Sequence, residues 1–554
     1  MDSLSIAGFT LTAINTFLKV SEKTAELISN VHDFDHDTQV LETRIRDDNV
    51  RTRALRQLLF DPSSIYHGRT LFELFNPEVQ GRIQLSLEQA NSIIEQAYQL
   101  LRRQRAVSPA GETGAEDDIP SSSTLSINLL LTPSRGSGLS PSYTHGRSKK
   151  PSRTFRRIQW SLLDKERAEA IVRDFCEMNK RIYDNIELWC LSTPAGVGLQ
   201  HLKRLESNTN SQVLGFDIDA TLRLAVRTEE NSPRTFEIPR SEKIWRALLS
   251  VVPVESKFGI TQWNSKPMLV EYRSYAPESP VSIDMDARTH DAVNRLAKLL
   301  HQPKNAVFRA PSCYSWVRQV LFNRVVFMFS IPEGSEPRPR SLYHILGSGS
   351  PPPALGQRFA LALQLARCIS HLQLVQWAHG SFRSENILFF PPNLEDSPEL
   401  RGTPQEHLNF SEPWVLGYGM NQPKPYFSRG RSDGSYDVYC HPERQEGPTR
   451  FFKKIYDIYA LGVVLLEIGL WQQATSLEKS GFARVRDPYA IKKQLVRNAE
   501  KRLASKMGER YKQVVVKCLE NGFGVGDDSK EDLKLQQAFR SQVIDALEDA
   551  TKHI

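Results

Sequence analysis

The chain has 554 residues, of which 40% are hydrophobic, 24% charged and 9% aromatic. It is too long for one core, too apolar for wholesale disorder, and not composed like an integral membrane bundle. Its net charge of +7, from 71 basic against 64 acidic residues, is a small surplus, and the acid-free run Arg147–Arg157 carries six of those charges. Without a broad basic face, nucleic acid is not an expected partner.

Residues 4–20 hold Leu4, Ile6, Ala7, Phe9, Leu11, Ala13, Ile14, Phe17, Leu18 and Val20, with Lys19 as the only charge. Apolar groups on more than one face predict either the central helix of a bundle or a helix able to enter a membrane. At 1.5 Å per residue it would reach roughly 25 Å, just short of a bilayer core of about 30 Å. Apolar residues at helical spacing predict further helices over 33–60 (Leu41, Ile45, Leu55, Leu58) and 78–104 (Val79, Ile83, Leu87, Ile94). From about 106 to 152 the composition turns to Ser, Pro, Gly and Thr, which cannot offset the entropy of ordering, and a disordered loop is expected. The helical pattern resumes at Ile158 and Trp160 and runs to about Cys190. These readings predict an all-α bundle over 1–200 with an insertion at about 106–152.

Residues 201–244 read as a linker with little regular structure. Beyond them, 267–272 and 324–331 read as strands with a helix near 289–301 between them. Helices are then predicted at about 355–375, 455–471, 489–519 and 532–550. Strands first and helices after give an α+β domain over 245–550. The six cysteines, Cys176, Cys190, Cys313, Cys368, Cys440 and Cys518, show no C-x-x-C pair and no metal spacing, which predicts free thiols in a reducing compartment. The Met-Asp start carries no signal-peptide pattern, so a cytoplasmic protein is expected.

In the second half, the ten residues His379-Gly380-Ser381-Phe382-Arg383-Ser384-Glu385-Asn386-Ile387-Leu388 resemble, in register, the protein-kinase catalytic loop H-R-D-L-K-P-E-N-I-L. Val415-Leu416-Gly417-Tyr418-Gly419 resembles the strand ending in D-F-G, and His441-Pro442-Glu443 the A-P-E motif. Tyr456-Asp457-Ile458 is similar to the start of the kinase helix whose aspartate braces the catalytic loop. Leu269-Val270-Glu271-Tyr272-Arg273 resembles the V-A-I-K strand, with Arg273 at the lysine position, although no G-x-G-x-x-G loop precedes it. The resemblance implies a two-lobed protein-kinase-like fold over about 245–550, with Glu443 and Asp457 in structural positions.

The departures bear on the chemistry. The position of the carboxylate that takes the substrate hydroxyl's proton is Ser381, and that of the magnesium-holding aspartate is Gly417. Asn386 is the one metal-site side chain retained, and Arg273 keeps a charge without the compact ammonium of lysine. Each missing role ordinarily contributes about 10²-fold or more. The expectation leans to a pseudokinase with no catalytic residues and no required cofactor, in which Arg273 and Asn386 would meet ATP and magnesium if nucleotide binds. An active but atypical ATP-dependent kinase using a relocated acid such as Glu385 is the alternative.

The opening Met1-Asp2-Ser3-Leu4-Ser5-Ile6-Ala7-Gly8-Phe9, the helix segment Leu41-Glu42-Thr43-Arg44-Ile45 and the return segment Arg157–Lys165 resemble the HeLo domain of fungal prion-inhibition and heterokaryon-incompatibility proteins. The resemblance implies a bundle whose first helix can be expelled into a membrane, making Leu4, Ile6, Phe9, Leu11, Ile14 and Phe17 the membrane-active candidates. The combination implies a fungal cell-death or incompatibility protein in which the kinase-like domain governs a helical effector. A protein partner or receptor, self-association, and an anionic plasma membrane on activation are the expected partners. For the run Arg147–Arg157 a solvated flank, a lipid contact and an import or nucleic-acid patch stay open. A cytosolic scaffold without membrane activity is the further alternative.

Overall fold

The computed structural model describes residues 3–29, 36–107, 153–227, 235–255, 257–275, 285–393, 407–419, 437–445, 452–477, 482, 487–525 and 533–552. The chain forms two compact units, one of residues 1–60 and 76–184, the other of residues 61–75 and 185–554. The first helices are α1 (Ser3–Ser29), α2 (His36–Phe60), the single turn α3 (Leu71–Leu74), α4 (Pro77–Val107) and α5 (Arg153–Ser192).

In the smaller unit α1 packs against both α4 and α2. Its buried residues, Thr10, Ala13, Ile14, Phe17, Ser21, Thr24, Ala25 and Ile28, recur every three or four positions and so lie along one stripe. Phe17 stacks on Phe175 of α5 with ring centroids 5.2 Å apart. The buried Ser21 hydroxyl donates to the Phe17 carbonyl at 2.8 Å and also contacts Asn49. The helix is thus longer and more one-sided than the apolar run 4–20 suggests. Among the described residues no helix is long and apolar enough to cross a membrane. The expected loop lies mostly outside the described residues.

The segment expected to be a linker is helical: α6 (Leu199–Ser207), α7 (Thr209–Leu214), α8 (Phe216–Arg227) and α9 (Glu242–Leu249). Leu202, Leu205, Leu214, Phe216, Ala220, Leu222 and Leu224 are all buried there. Short helices separated by Asn208 and Gly215, which cap α7 at either end, hide this periodicity from a long sequence window.

The sheet that follows contains β1 (Val252–Glu255), β2 (Phe258–Trp263), β3 (Lys266–Ser274), β4 (Cys313–Gln319) and β5 (Arg324–Ser330), antiparallel throughout in the order β1-β2-β3-β5-β4. α10 (Ala287–His301) connects β3 to β4 and packs on β4. Alternation along β3 puts Met268 and Val270 on one face, clustered with Ile244 and Leu248 of α9. Leu269, Glu271 and Arg273 take the opposite face, where Leu269 joins the main core with Phe327 and Phe329.

The rest is largely helical: β6 (Arg340–Ser341), α11 (Leu342–Gly347), α12 (Leu355–Leu374), β7 (Ile387–Phe389), β8 (Trp414–Val415), α13 (Pro442–Gln445), α14 (Lys454–Leu470), α15 (Pro488–Glu520), α16 (Leu533–Phe539) and α17 (Asp545–Lys552). α14 is buried from Tyr456 to Leu470 and packs against α12 and α15. α15 is broken at Gly508, whose backbone (φ 82°, ψ 164°) is not helical. A five-stranded sheet with one helix between its third and fourth strands, followed by a helical body, is the order of elements that the kinase resemblance implies.

Candidate functional site

The segment 379–386 runs between α12 and β7 and is anchored from below. Asp457, in the first turn of α14, accepts hydrogen bonds from the backbone N–H of His379 at 2.7 Å and of Gly380 at 3.0 Å. Burial pushes the Asp457 carboxyl up to about 6, against the pull of those two N–H groups. The His379 ring is buried between Phe382 and Tyr418, with centroids 5.2 and 4.6 Å away. Burial, with the nearby charge of Arg273, brings its pKa down to about 3, so the imidazole is neutral.

Further along, Arg383 is ion-paired with Asp437, lies 3.6 Å from Glu385, and sits 5.3 Å over the Tyr439 ring. Tyr439 also joins Ser384 (2.9 Å) and donates to Glu467 of α14 at 2.6 Å. Glu467 accepts a second bond from Ala474 N–H at 2.8 Å, and burial raises its carboxyl to about 7.

Facing this loop, Arg273 on β3 reaches neither solvent nor an open cleft. Its Nε and Nη2 donate to the two carboxylate oxygens of Glu271 at 2.8 and 3.0 Å, while Nη1 donates to the Tyr418 carbonyl. The guanidinium also covers Phe327 at 4.9 Å. Glu271 holds the alanine position of V-A-I-K. In a strand, residues i and i+2 point the same way, which is why Glu271 can take both forks of Arg273.

At Gly417 the backbone has φ 80°, and a Cβ would collide with the Asn386 carboxamide. Asn386 is buried, donates from Nδ2 to the Ser381 carbonyl at 2.8 Å, and leaves its Oδ1 without a hydrogen bond among the described residues. The side chain therefore occupies the room that the glycine leaves.

The β1–β2 turn reaches the neighbouring elements through Glu255 and Lys257. Glu255 accepts from Ser341 N–H at 2.7 Å and from its hydroxyl at 2.6 Å, at the start of α11. Lys257 lies 3.8 Å from Glu385, and burial lowers its pKa.

The tertiary structure thus gathers Arg273, His379, Ser381, Arg383, Asn386, Gly417 and Asp457 into one largely buried cluster. Glu443 is engaged elsewhere, with Lys453 at 2.9 Å and the Tyr456 hydroxyl at 3.0 Å. Of the candidates on α1, Ile14 and Phe17 are buried, Ile6 and Leu11 half-buried, and Phe9 is 56% exposed. Leu4 lies outside the described side chains. A magnesium nucleotide is a poor fit to this set. Among the described residues Asn386 Oδ1 is a single oxygen ligand with no carboxylate opposite it, and Arg273, which the resemblance puts at the phosphate-binding lysine, is engaged by Glu271. Sequence reasoning missed Glu271, Glu255 and Lys257. Only the i, i+2 spacing of Glu271 and Arg273 carried a signal.

A family model described as a domain of unknown function, DUF7580, matches residues 286–554. No curated protein matches the chain. Similar solved structures include the kinase domain of maize sucrose-induced receptor kinase 1 bound to AMP-PNP, 14% identical, covering 56% of this chain and 99% of that one with a TM-score of 0.36. The kinase domain of Mycobacterium tuberculosis PknI is 10% identical, covering 53% and 94% with a TM-score of 0.32.

Proposed function

We propose that the larger unit is a protein-kinase-like switch that transfers no phosphate, and that it governs the N-terminal helical unit, a HeLo-like effector of fungal cell death or incompatibility. The observation that carries the non-catalytic part is the state of Arg273, whose guanidinium is taken up by Glu271 and the Tyr418 carbonyl. Phosphoryl transfer depends almost wholly on positioned charge, and here the cation cannot meet a phosphate without abandoning a buried carboxylate. Ser381 offers no base and Gly417 no metal ligand.

Glu385 is the acid an unorthodox kinase would recruit. It is shared between Arg383 at 3.6 Å and Lys257 at 3.8 Å, which supports a structural role for it. On this reading the inputs are a protein receptor and self-association, and the output is contact with an anionic membrane by a protein otherwise held in the cytoplasm. That assignment rests on the resemblance of the first 200 residues.

The direct test is incubation of purified protein with ATP and Mg²⁺ or Mn²⁺. The expected result is neither autophosphorylation nor a rise in melting temperature, since a ligand that does not bind the native state cannot stabilise it. Phosphorylation that is abolished by Asn386→Ala would overturn the proposal.

A further inference from the structure

Within the larger unit, the end of α5 beyond residue 184 meets α8 and α12 at a buried group separate from the residues described above. Glu187 near the end of α5, Asp219 on α8 and His371 on α12 each bring one ligand atom to within 4.8 Å of the others. Asp219 is fully buried. Its Oδ1 accepts a 2.9 Å hydrogen bond from Asn305 Nδ2, whereas its Oδ2 is buried with no hydrogen bond among the described residues. The carboxyl group of Glu187, also buried, lies against it. Two ionised carboxylates are both acceptors, so a proton or a cation between them would reconcile their close approach in the interior.

His371 favours the cation. Its Nδ1 stands 3.2 Å from the Arg367 carbonyl, the position of an N–H donor, which leaves the lone pair on Nε2. Metal-bound histidines are braced in this way through their second nitrogen, and metal-bound carboxylates through an outer hydrogen bond such as that of Asn305 to Asp219. Arg223, one turn along α8, donates to the Leu374 carbonyl at 2.9 Å.

We propose that Glu187, Asp219 and His371 bind one divalent transition-metal ion, Zn²⁺ or Mn²⁺, which staples α5, α8 and α12 together. One imidazole nitrogen with two carboxylate oxygens is a donor set that suits either ion. Bonds of about 2.0–2.2 Å need ligand atoms roughly 3–4 Å apart, a contraction that side-chain rotation supplies. Two carboxylates and a neutral imidazole cancel the ion's charge, so the loaded site is neutral and compatible with burial. The role is structural.

The test uses the full-length chain. Metal content is measured after purification; the protein is then stripped with a chelator and titrated with Zn²⁺ or Mn²⁺ while calorimetry and melting temperature are followed. The expected result is about one ion per chain and a melting temperature that falls on stripping and recovers on reloading. Asp219→Asn and His371→Gln should each abolish that uptake, and Asn305→Ala, which removes only the outer brace, should weaken it about 10- to 100-fold. If the ligand variants fail to fold by circular dichroism, Asn305→Ala decides the matter. Wild-type protein that neither retains nor responds to either ion, or uptake unchanged in all three variants, overturns the site. In the first case a shared proton holds the pair, and Glu187→Gln with Asp219→Asn would be at least as stable as wild type.

Discussion

Gly417 and Asn386 are matched residue for residue. The carboxamide lies where a Cβ at 417 would stand, and it is held there by its 2.8 Å bond to the Ser381 carbonyl. Gly417→Asp, which installs the carboxylate that the kinase resemblance implies, therefore evicts Asn386. We expect a loss of about 1–3 kcal/mol in chemical denaturation and no gain in nucleotide binding. In an Asn386→Ala background Gly417→Ala should cost measurably less than alone, because the two sites share one space. Glu271 and Arg273 form a second matched pair, with side chains only 3% and 8% exposed. Glu271→Ala strands a buried guanidinium and should cost about 3–5 kcal/mol, while replacing both residues by Met should come close to wild-type stability. The Gly417 and Ser381 identities were legible in the sequence because they are departures from a motif. The partner of Arg273 was not read, although strand alternation put Glu271 on its face.

Among the elements, α14 does most to anchor the 379–386 loop and its neighbours, and it does so through two buried acids. Asp457 holds the 379–380 backbone, and Glu467 holds Tyr439 and Ala474. Their carboxyls are raised to about 6 and about 7, so the folded state binds these protons more tightly than the unfolded chain does. Their contribution to stability is therefore fullest below about pH 4 and is lost as pH rises through 6 and 7. Glu467→Gln keeps the acceptor oxygen and removes the titration. Its melting temperature should match wild type near pH 5 and exceed it at pH 8, flattening the profile between them; an unchanged difference across that range would refute the assignment. The continuous apolar run at 455–471 located α14 within a residue because nearly the whole helix is buried and apolar. The same method missed α6 to α8, whose short lengths give too few turns for a pattern to rise above their polar residues.

At the scale of the whole molecule, each of the two units has its own account. In the smaller one, α1 buries Ile14 and Phe17 and leaves Phe9 exposed. On the proposed reading, forced oligomerisation releases dye from anionic liposomes, and Phe9→Glu with Leu11→Glu abolishes the release; intact vesicles under every assembly condition would leave the effector role without support. In the larger unit, the string of motifs from Arg273 to Asp457 was readable because each motif is local: a few neighbouring residues whose types report one loop or one helix end. What those residues do to one another was decided only by tertiary structure. Arg273 meets a carbonyl 145 positions away, Glu255 meets Ser341 86 positions away, and Glu187, Asp219 and His371 converge from three helices. Sequence pattern records how a segment buries its own face. The partner of a buried polar group is set by which segments cross above it, and that crossing exists only once the core has closed.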